Sequence, residues 1–290
     1  MERREFLRRT AAALGVAGLT AFPHHLFAAP AVKEADDRVK LGPMGVPVSR
    51  LAIGTGTNGW GGSSDQTRGL GVAGLGTMLR DGYNQGVTFW DSADQYGSHP
   101  HVREALKGGV PREKVTILTK THARTADQMR ADLDRFRREL GTDYIDILLL
   151  HCMTDANWPE THRGAMDVIS EAREKGTVRT HGTSCHSFGA LKAAAASDWV
   201  QVDLARINPA GAVMDAPTPQ VLEVLRQMKA QGKGIIGMKV LGAGQLTKQA
   251  DECLQWQLAQ DCVDCFTLGM KTPAEFGRTL KQIRSASVRA

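Results

Sequence analysis

The sequence has no run of interleaved basic and aromatic residues, and aromatics make up only 6% of its 290 positions. Its formal net charge is +5, but four arginines and only two glutamates fall within residues 1–29. The remainder holds 32 basic and 29 acidic residues, too even a balance to track a phosphate backbone. Nucleic acid is therefore not an expected partner. Cysteine is sparse as well: Cys152, Cys185, Cys253, Cys262 and Cys265 are odd in number and irregular in spacing, which describes no disulfide framework. Cys262 and Cys265 have C-x-x-C form without a second pair, and they straddle the start of a strand-like run where cysteine acts as a small hydrophobe. No apolar run reaches the ~20 residues that span a bilayer, so no stable membrane anchor is expected. What remains is ordinary: 42% hydrophobic and 23% charged residues describe a globular chain, long enough for one large α/β domain or two small ones.

The first 30 residues differ from the rest. Arg3, Arg4, Arg8 and Arg9 precede an apolar stretch from Ala11 to Phe22 and small residues around Ala29 to Ala31. A basic start, a short apolar centre and a small-residue exit make a signal peptide. Arg3-Arg4 followed by Phe6-Leu7 resembles the twin-arginine signal, with Glu2 where Ser or Thr is usual. Residues 1–30 are thus expected to be an export signal read by the twin-arginine machinery, which places the mature chain in the periplasm. Residues 31–38 are expected to be a linker and residues 39–290 the folded domain.

From Val39 to Ser49, Gly42, Pro43, Gly45 and Pro47 separate short apolar pieces, which predicts a small hairpin. Strand-like runs follow at 49–54, 87–91, 115–120, 144–151, 178–183, 200–207, 235–240 and 263–268. Helical patterns at 70–84, 101–106, 126–140, 163–174, 188–196, 219–230, 250–259 and 273–283 alternate with them. Gly86, Gly108, Gly141, Gly176 and Gly232 follow five of the helices, where a left-handed cap is expected. Eight such units over ~250 residues predict a single (β/α)8 TIM barrel. Continuous runs such as Ile145–Leu150 suit parallel strands covered on both faces. The rival is an open doubly wound sheet. Gly54, Gly56 and Gly59 do fit G-x-G-x-x-G, but the helical pattern starts only near Leu70.

In a barrel of this kind the active site lies at the C-terminal ends of the strands. Asp91, Lys120 and His151 end strands two, three and four of the eight, and a charged residue inside an apolar strand needs a partner. An Asp91–Lys120 ion pair across neighbouring strands is the simplest expectation. Between them runs Gly86-Val-Thr-Phe-Trp-Asp-Ser-Ala-Asp-Gln-Tyr-Gly97. This segment resembles the aldo/keto reductase pattern G-x-x-x-[FI]-D-[TS]-A-x-x-Y-G, with Trp90 where Phe or Ile is usual. Lys120 and His151 resemble the family's lysine and histidine, and the likeness runs from about Val39 to Ile283.

The resemblance implies reduction of an aldehyde or ketone to an alcohol, with NADP or NAD delivering hydride and Tyr96 the proton. A phenol near pKa 10 needs a neighbouring cation to act as an acid at neutral pH. Lys120 is expected to supply it, Asp91 to hold Lys120, and His151 to orient the substrate oxygen. For the cofactor the resemblance implies Gly54, Thr55, Ser184, Met238, Lys239 and Leu241. Cys185 stands where the family has Asn, Leu204 where it has Gln, and Met238 where it has an aromatic residue. Lys271 lies near the usual 2′-phosphate contacts, while Glu275 replaces another. Outside the cytoplasm such a reductase would also need an electron-donating partner to recycle its nucleotide.

Two other readings stand beside this one. One is a metal-dependent hydrolase on the same fold: His122, His151, Cys152, His181, Cys185 and His186 cluster near strand ends and are zinc-ligand types, but no H-x-H or H-E-x-x-H spacing organises them. Strand alternation is also expected to send His151 and Cys152 in different directions. The other alternative is an exported, non-catalytic barrel that binds a ligand. Rim loops at 57–68, 123–125, 152–161 and 210–217 are expected to set the substrate, with Trp60 and Trp158 as wall or packing residues.

Overall fold

The computed structural model describes residues 32–288. The signal-peptide expectation lies outside them. No helix among these residues is long and apolar enough to cross a membrane.

Residues 33–37 are not a free linker. Ala35 is buried, Leu51 N–H donates to its carbonyl at 2.9 Å, and Arg50 pairs with Asp37 at 3.0 Å. Two short strands, β1 (Arg38–Leu41) and β2 (Val46–Ser49), then form the expected hairpin, in register from Arg38↔Ser49 to Leu41↔Val46. Leu41, Val46 and Val48 pack with Ala52, Phe89, Leu118 and Ile147, so the hairpin closes one end of the barrel.

Eight parallel strands make that barrel, as the alternating pattern predicts. They are β3 (Leu51–Gly54), β4 (Phe89–Asp91), β5 (Thr116–Thr121), β6 (Ile145–Met153), β7 (Val178–Cys185), β8 (Val202–Arg206), β9 (Gly234–Met238) and β10 (Cys265–Gly269). Each pairs with the next, and β10 returns to pair with β3. Around them lie α1 (Asp65–Asn84), α2 (His99–Lys107), α3 (Ala126–Leu140), the single turn α4 (Trp158–Thr161), α5 (Arg163–Glu174) and α6 (Phe188–Ala196). The ring continues with α7 (Thr218–Ala230), α8 (Ala250–Ala259) and α9 (Pro273–Val288).

Side chains alternate along each strand between two apolar layers. Phe89, Leu118, Ile147, Leu149, Val202, Leu204, Ile236 and Met238 fill the barrel, while Trp90, Ile117, Leu148 and Leu150 face the helices. Helix starts follow their caps: Thr125 and Gln128 form a capping box at α3, and Ser64 with Thr67 forms another at α1. That second cap starts α1 well before Leu70, with a kink at Gly71. The left-handed residue after α2 is Gly109 rather than Gly108, because Gly108 keeps φ at −76°. Gly86, Gly141, Gly176 and Gly232 are left-handed as expected.

Candidate active site

Asp91 and Lys120 end adjacent strands, both facing the barrel interior, and they form the expected ion pair almost out of reach of solvent. Lys120 Nζ also donates to the Ser92 carbonyl at 2.8 Å. The second carboxylate oxygen of Asp91 accepts from Thr267 Oγ1 at 2.7 Å. Thr267 was not singled out in the sequence. It reaches Asp91 because barrel closure brings β10 against β3, one strand from β4. Period-two alternation from Cys265 was the available signal.

Tyr96 lies in a 3₁₀ turn, Asp94–Tyr96, just beyond β4. Its Oη is 3.4 Å from His151 Nε2, and Lys120 Nζ stands 4.8 Å from its ring centre. The structure thus brings Asp91, Tyr96, Lys120 and His151 into one group. Burial pushes the Tyr96 phenol above 10, outweighing the downward pull of Lys120, so the unliganded site holds its proton firmly. The expected acidifying effect of Lys120 is therefore present but second to desolvation. Burial also opposes charge on Lys120, yet Asp91 and Tyr96 together raise its pKa. His151 is held neutral, well below 6.5, by burial and then by Lys120 and its histidine neighbours. Among the described residues, its buried Nδ1 has no partner. A proton on Nε2 would then face Tyr96 and any carbonyl oxygen beside it.

The glycines of the 54–59 segment serve this site by close packing. A Cβ on Gly56 would lie 2.2 Å from the Tyr96 ring and one on Gly59 2.4 Å from it. At Gly54 it would lie 2.8 Å from Thr267 Oγ1. The G-x-G-x-x-G spacing therefore clamps the tyrosine and the Asp91–Thr267 contact, instead of opening a helix.

The residues expected at the cofactor are dispersed around the same mouth. Ser184, on β7, is buried with a hydroxyl that has no partner among the described residues, and its register partner on β8 is the apolar Leu204. Cys185 faces the other way, 3.2 Å from Asp203. Met238 is nearly covered at the end of β9, and Lys239 follows it half-buried, at a left-handed φ of 57°. Leu241 packs against the outer core. Thr55 is placed differently from expectation: it is fully buried, and its hydroxyl donates to the Asp91 carbonyl beside Ser98 Oγ. Its side chain is not open to a ligand. Lys271 is tied to Asp65 at 2.7 Å. The orphaned Ser184 hydroxyl and the apolar Met238 fit a nicotinamide ring, gripped by one polar side chain where the family pattern has three.

The zinc reading does not assemble. His181 stacks on Trp199, and Cys185 is taken up by Asp203. The trio of metal-ligand types found among the described residues, Asp94, His99 and Glu139, has Arg135 paired to both carboxylates. One sequence expectation is corrected here. A register shift after Leu150 and a φ of 62° at Cys152 break the alternation, and Cys152 lines the same cleft as His151. That cleft, about 170 Å³, is completed by His122, Arg124, Asp155, Thr161 and His162. Trp158 also lines this cleft, with its Nε1 donating to the Ala190 carbonyl at 3.2 Å, whereas Trp60 is 76% exposed.

The aldo/keto reductase family model matches residues 50–281. The chain belongs to that family. It is 34% identical to a methylglyoxal reductase of Escherichia coli over 142 residues, 47% of this chain and 46% of that one. It is 33% identical to a D-galacturonate reductase of Hypocrea jecorina over 112 residues, 37% of this chain and 31% of that one. The chain thus spans about a third to a half of the length of these curated relatives. An aldo-keto reductase from Bacillus halodurans has the same fold, with a TM-score of 0.67 at 16% identity, covering 87% of this chain and 95% of its own.

Proposed function

We propose that the chain reduces the carbonyl group of a small molecule to an alcohol, with NADP or NAD as cofactor and Tyr96 as proton donor. The observation that carries this reading is the group formed by Tyr96 Oη, His151 Nε2 and the buried Lys120–Asp91 pair at the barrel mouth. When bound, the nicotinamide supplies the hydride. The chain supplies everything at the oxygen. Neutral His151 donates to the carbonyl oxygen and orients it; Tyr96 gives up its proton as negative charge grows there. Lys120 is the cation against which the phenolate is then formed, and Asp91 with Thr267 keeps that cation in place. Ser184 and Met238 line the nicotinamide side, and Gly54 lets β10 approach closely enough for the Asp91–Thr267 contact.

Tyr96→Phe keeps the ring packed under Gly56 and Gly59 and removes only the hydroxyl that carries the proton. Carbonyl reduction should fall by about 10²–10⁴-fold while nucleotide binding, followed by fluorescence, is retained. A variant that reduces as fast as the parent removes Tyr96 from the role.

The N-terminal pattern supports export of the folded chain through the twin-arginine machinery to the periplasm, with nucleotide carried out bound. Recycling would then require an electron-donating partner. Denaturing the exported protein and assaying for released nucleotide tests this; an empty protein refutes carriage.

A further inference from the structure

Tyr96 stands on the shortest element of the proton-delivery group. Its 3₁₀ turn, Asp94–Tyr96, is three residues long and has no side-chain cap at its start. Gly56 and Gly59 press on the ring, and a cation on α3 holds the first residue of the turn. Both carboxylate oxygens of Asp94 accept from Arg135, Oδ1 from Nη1 at 2.6 Å and Oδ2 from Nη2 at 2.9 Å. The same guanidinium donates to Asp132 at 2.7 Å and to Glu139 at 3.3 Å. Those two carboxylates lead on to the strand that carries Lys120. Asp132 accepts from Thr121 Oγ1 at 2.5 Å. Glu139 accepts from His99 Nδ1 at 2.7 Å, and His99 Nε2 lies 2.7 Å from Thr119 Oγ1. Thr119 and Thr121 are the two neighbours of Lys120 on β5, fully buried and turned by alternation toward the helices. A lone exposed ion pair would fix little, but a bidentate fork inside a network of three carboxylates is the exception.

We propose that Arg135 is a positioning residue for the proton donor: through Asp94 it sets the place of Tyr96 relative to Lys120 and His151. Arg135 does not itself line the cleft beside His151. Helix α3 is the fixed side of this clamp, since Met129, Leu133, Phe136 and Leu140 are buried along it. The three-residue turn is the side that can move. Without the guanidinium, oxygens of Asp94 and Glu139 within 4.8 Å of one another become like charges with no cation between them. Repulsion then pushes the turn outward and takes Tyr96 Oη from its place 3.4 Å from His151 Nε2. A displacement of about 1 Å at a reacting group costs on the order of 10²-fold in rate. Asp94 and Arg135 are 41 positions apart in the sequence, so only the folded barrel joins them.

The proposal rests on the reductase reading, and its test separates the two. Full-length protein is assayed with butanal at saturating nucleotide, alongside a readout that needs no turnover. The chain has three tyrosines, Tyr83, Tyr96 and Tyr144, so fluorotyrosine labelling gives three fluorine resonances, and the one lost in Tyr96→Phe is that of Tyr96. Arg135→Met should move this resonance and lower kcat about 10–100-fold, with nucleotide affinity and the KM for butanal within about threefold of the parent. Adding Asp94→Asn removes the charge left uncompensated, so the double variant should turn over faster than Arg135→Met alone. Arg135→Lys keeps the charge without the fork; it should fold even if Arg135→Met does not, with kcat between those of the parent and Arg135→Met. An unchanged kcat in Arg135→Lys, losses that multiply in the double variant, or a fall in kcat matched by an equal loss of nucleotide affinity overturns the proposal. If the parent does not reduce butanal but an Arg135 variant still moves the Tyr96 resonance, the reductase reading fails and the clamp stands. If the parent reduces butanal and neither kcat nor the resonance responds, the clamp fails alone.

Discussion

Gly56→Ala adds a single carbon, and the structure says what it meets. The new Cβ would lie 2.2 Å from Cε2 of Tyr96, 2.4 Å from Cζ and 2.5 Å from Cδ2, where ordinary contact begins at 3.4 Å. The ring must withdraw by about 1.2 Å at its nearest atom, because the Gly56 backbone is itself fixed by the turn to Gly59 at 3.0 Å. Withdrawal carries Oη away from the position it shares with His151, now 3.4 Å distant. A shift of this size at a reacting group costs on the order of 10²-fold in rate. The accompanying overpacking should cost about 1–3 kcal/mol of stability, so the variant still folds. The assay is kcat on a small aldehyde at saturating nucleotide, with nucleotide affinity and thermal midpoint measured on the same preparation. Gly69→Ala is the control: it lies in α1, its added carbon meets nothing within 4 Å, and it should be neutral or stabilising by about 0.5–1 kcal/mol. If Gly56→Ala turns over within about threefold of the parent, the clamp on Tyr96 is not what positions the donor.

Two further perturbations follow from the same geometry. Asp91→Asn leaves the buried Lys120 ammonium without its counter-charge, which should cost about 3–5 kcal/mol and move activity to lower pH, where Lys120 regains its proton; thermal melts and a pH–kcat profile read the two effects. Asp203 is buried, its Oδ2 has no partner among the described residues, and burial pushes its carboxyl up to about 6 from 3.8. Between these values the folded state binds more protons than the unfolded one, so this group lowers stability as pH rises from about 4 to 6. Asp203→Asn should therefore gain stability relative to the parent across that window and hold the gain above it, read as the difference between two melting curves at each pH. A difference that shrinks as pH rises contradicts the sign. The parent's own slope is a poorer readout, because His181, held neutral down to about 4, acts in the opposite direction.

The legibility of this site in the sequence was uneven for identifiable reasons. Helices α3, α5, α6 and α8 begin and end where their patterns do, and at α3 and α6 a side-chain cap, from Thr125 and Ser187, marks the start. The start of α1 was missed because Ser64 caps it within a glycine-rich stretch and Gly71 interrupts the period. Asp91, Lys120 and His151 could be read because charged or polar residues ending apolar strands are conspicuous, and Tyr96 because it sits at a fixed spacing from Asp91. The placement of Thr55 was not foreseen, since its neighbour Ser98 lies 43 residues away, at the N-cap of α2.

By itself, the sequence determined the alternation of strands and helices, the barrel it implies, and the ring of polar residues at the strand ends, because these depend on local period and on burial cost. Only the tertiary structure decided who meets whom. Barrel closure brings Thr267 to Asp91 across 176 positions of sequence. A left-handed Cys152 breaks strand alternation and joins the cleft beside His151. Asp91 and Asp215 find their partners, Lys120 and Arg206, on other parts of the barrel mouth. Pairing in a folded chain is a matter of distances across the barrel mouth, and these are fixed only once all eight strands have closed.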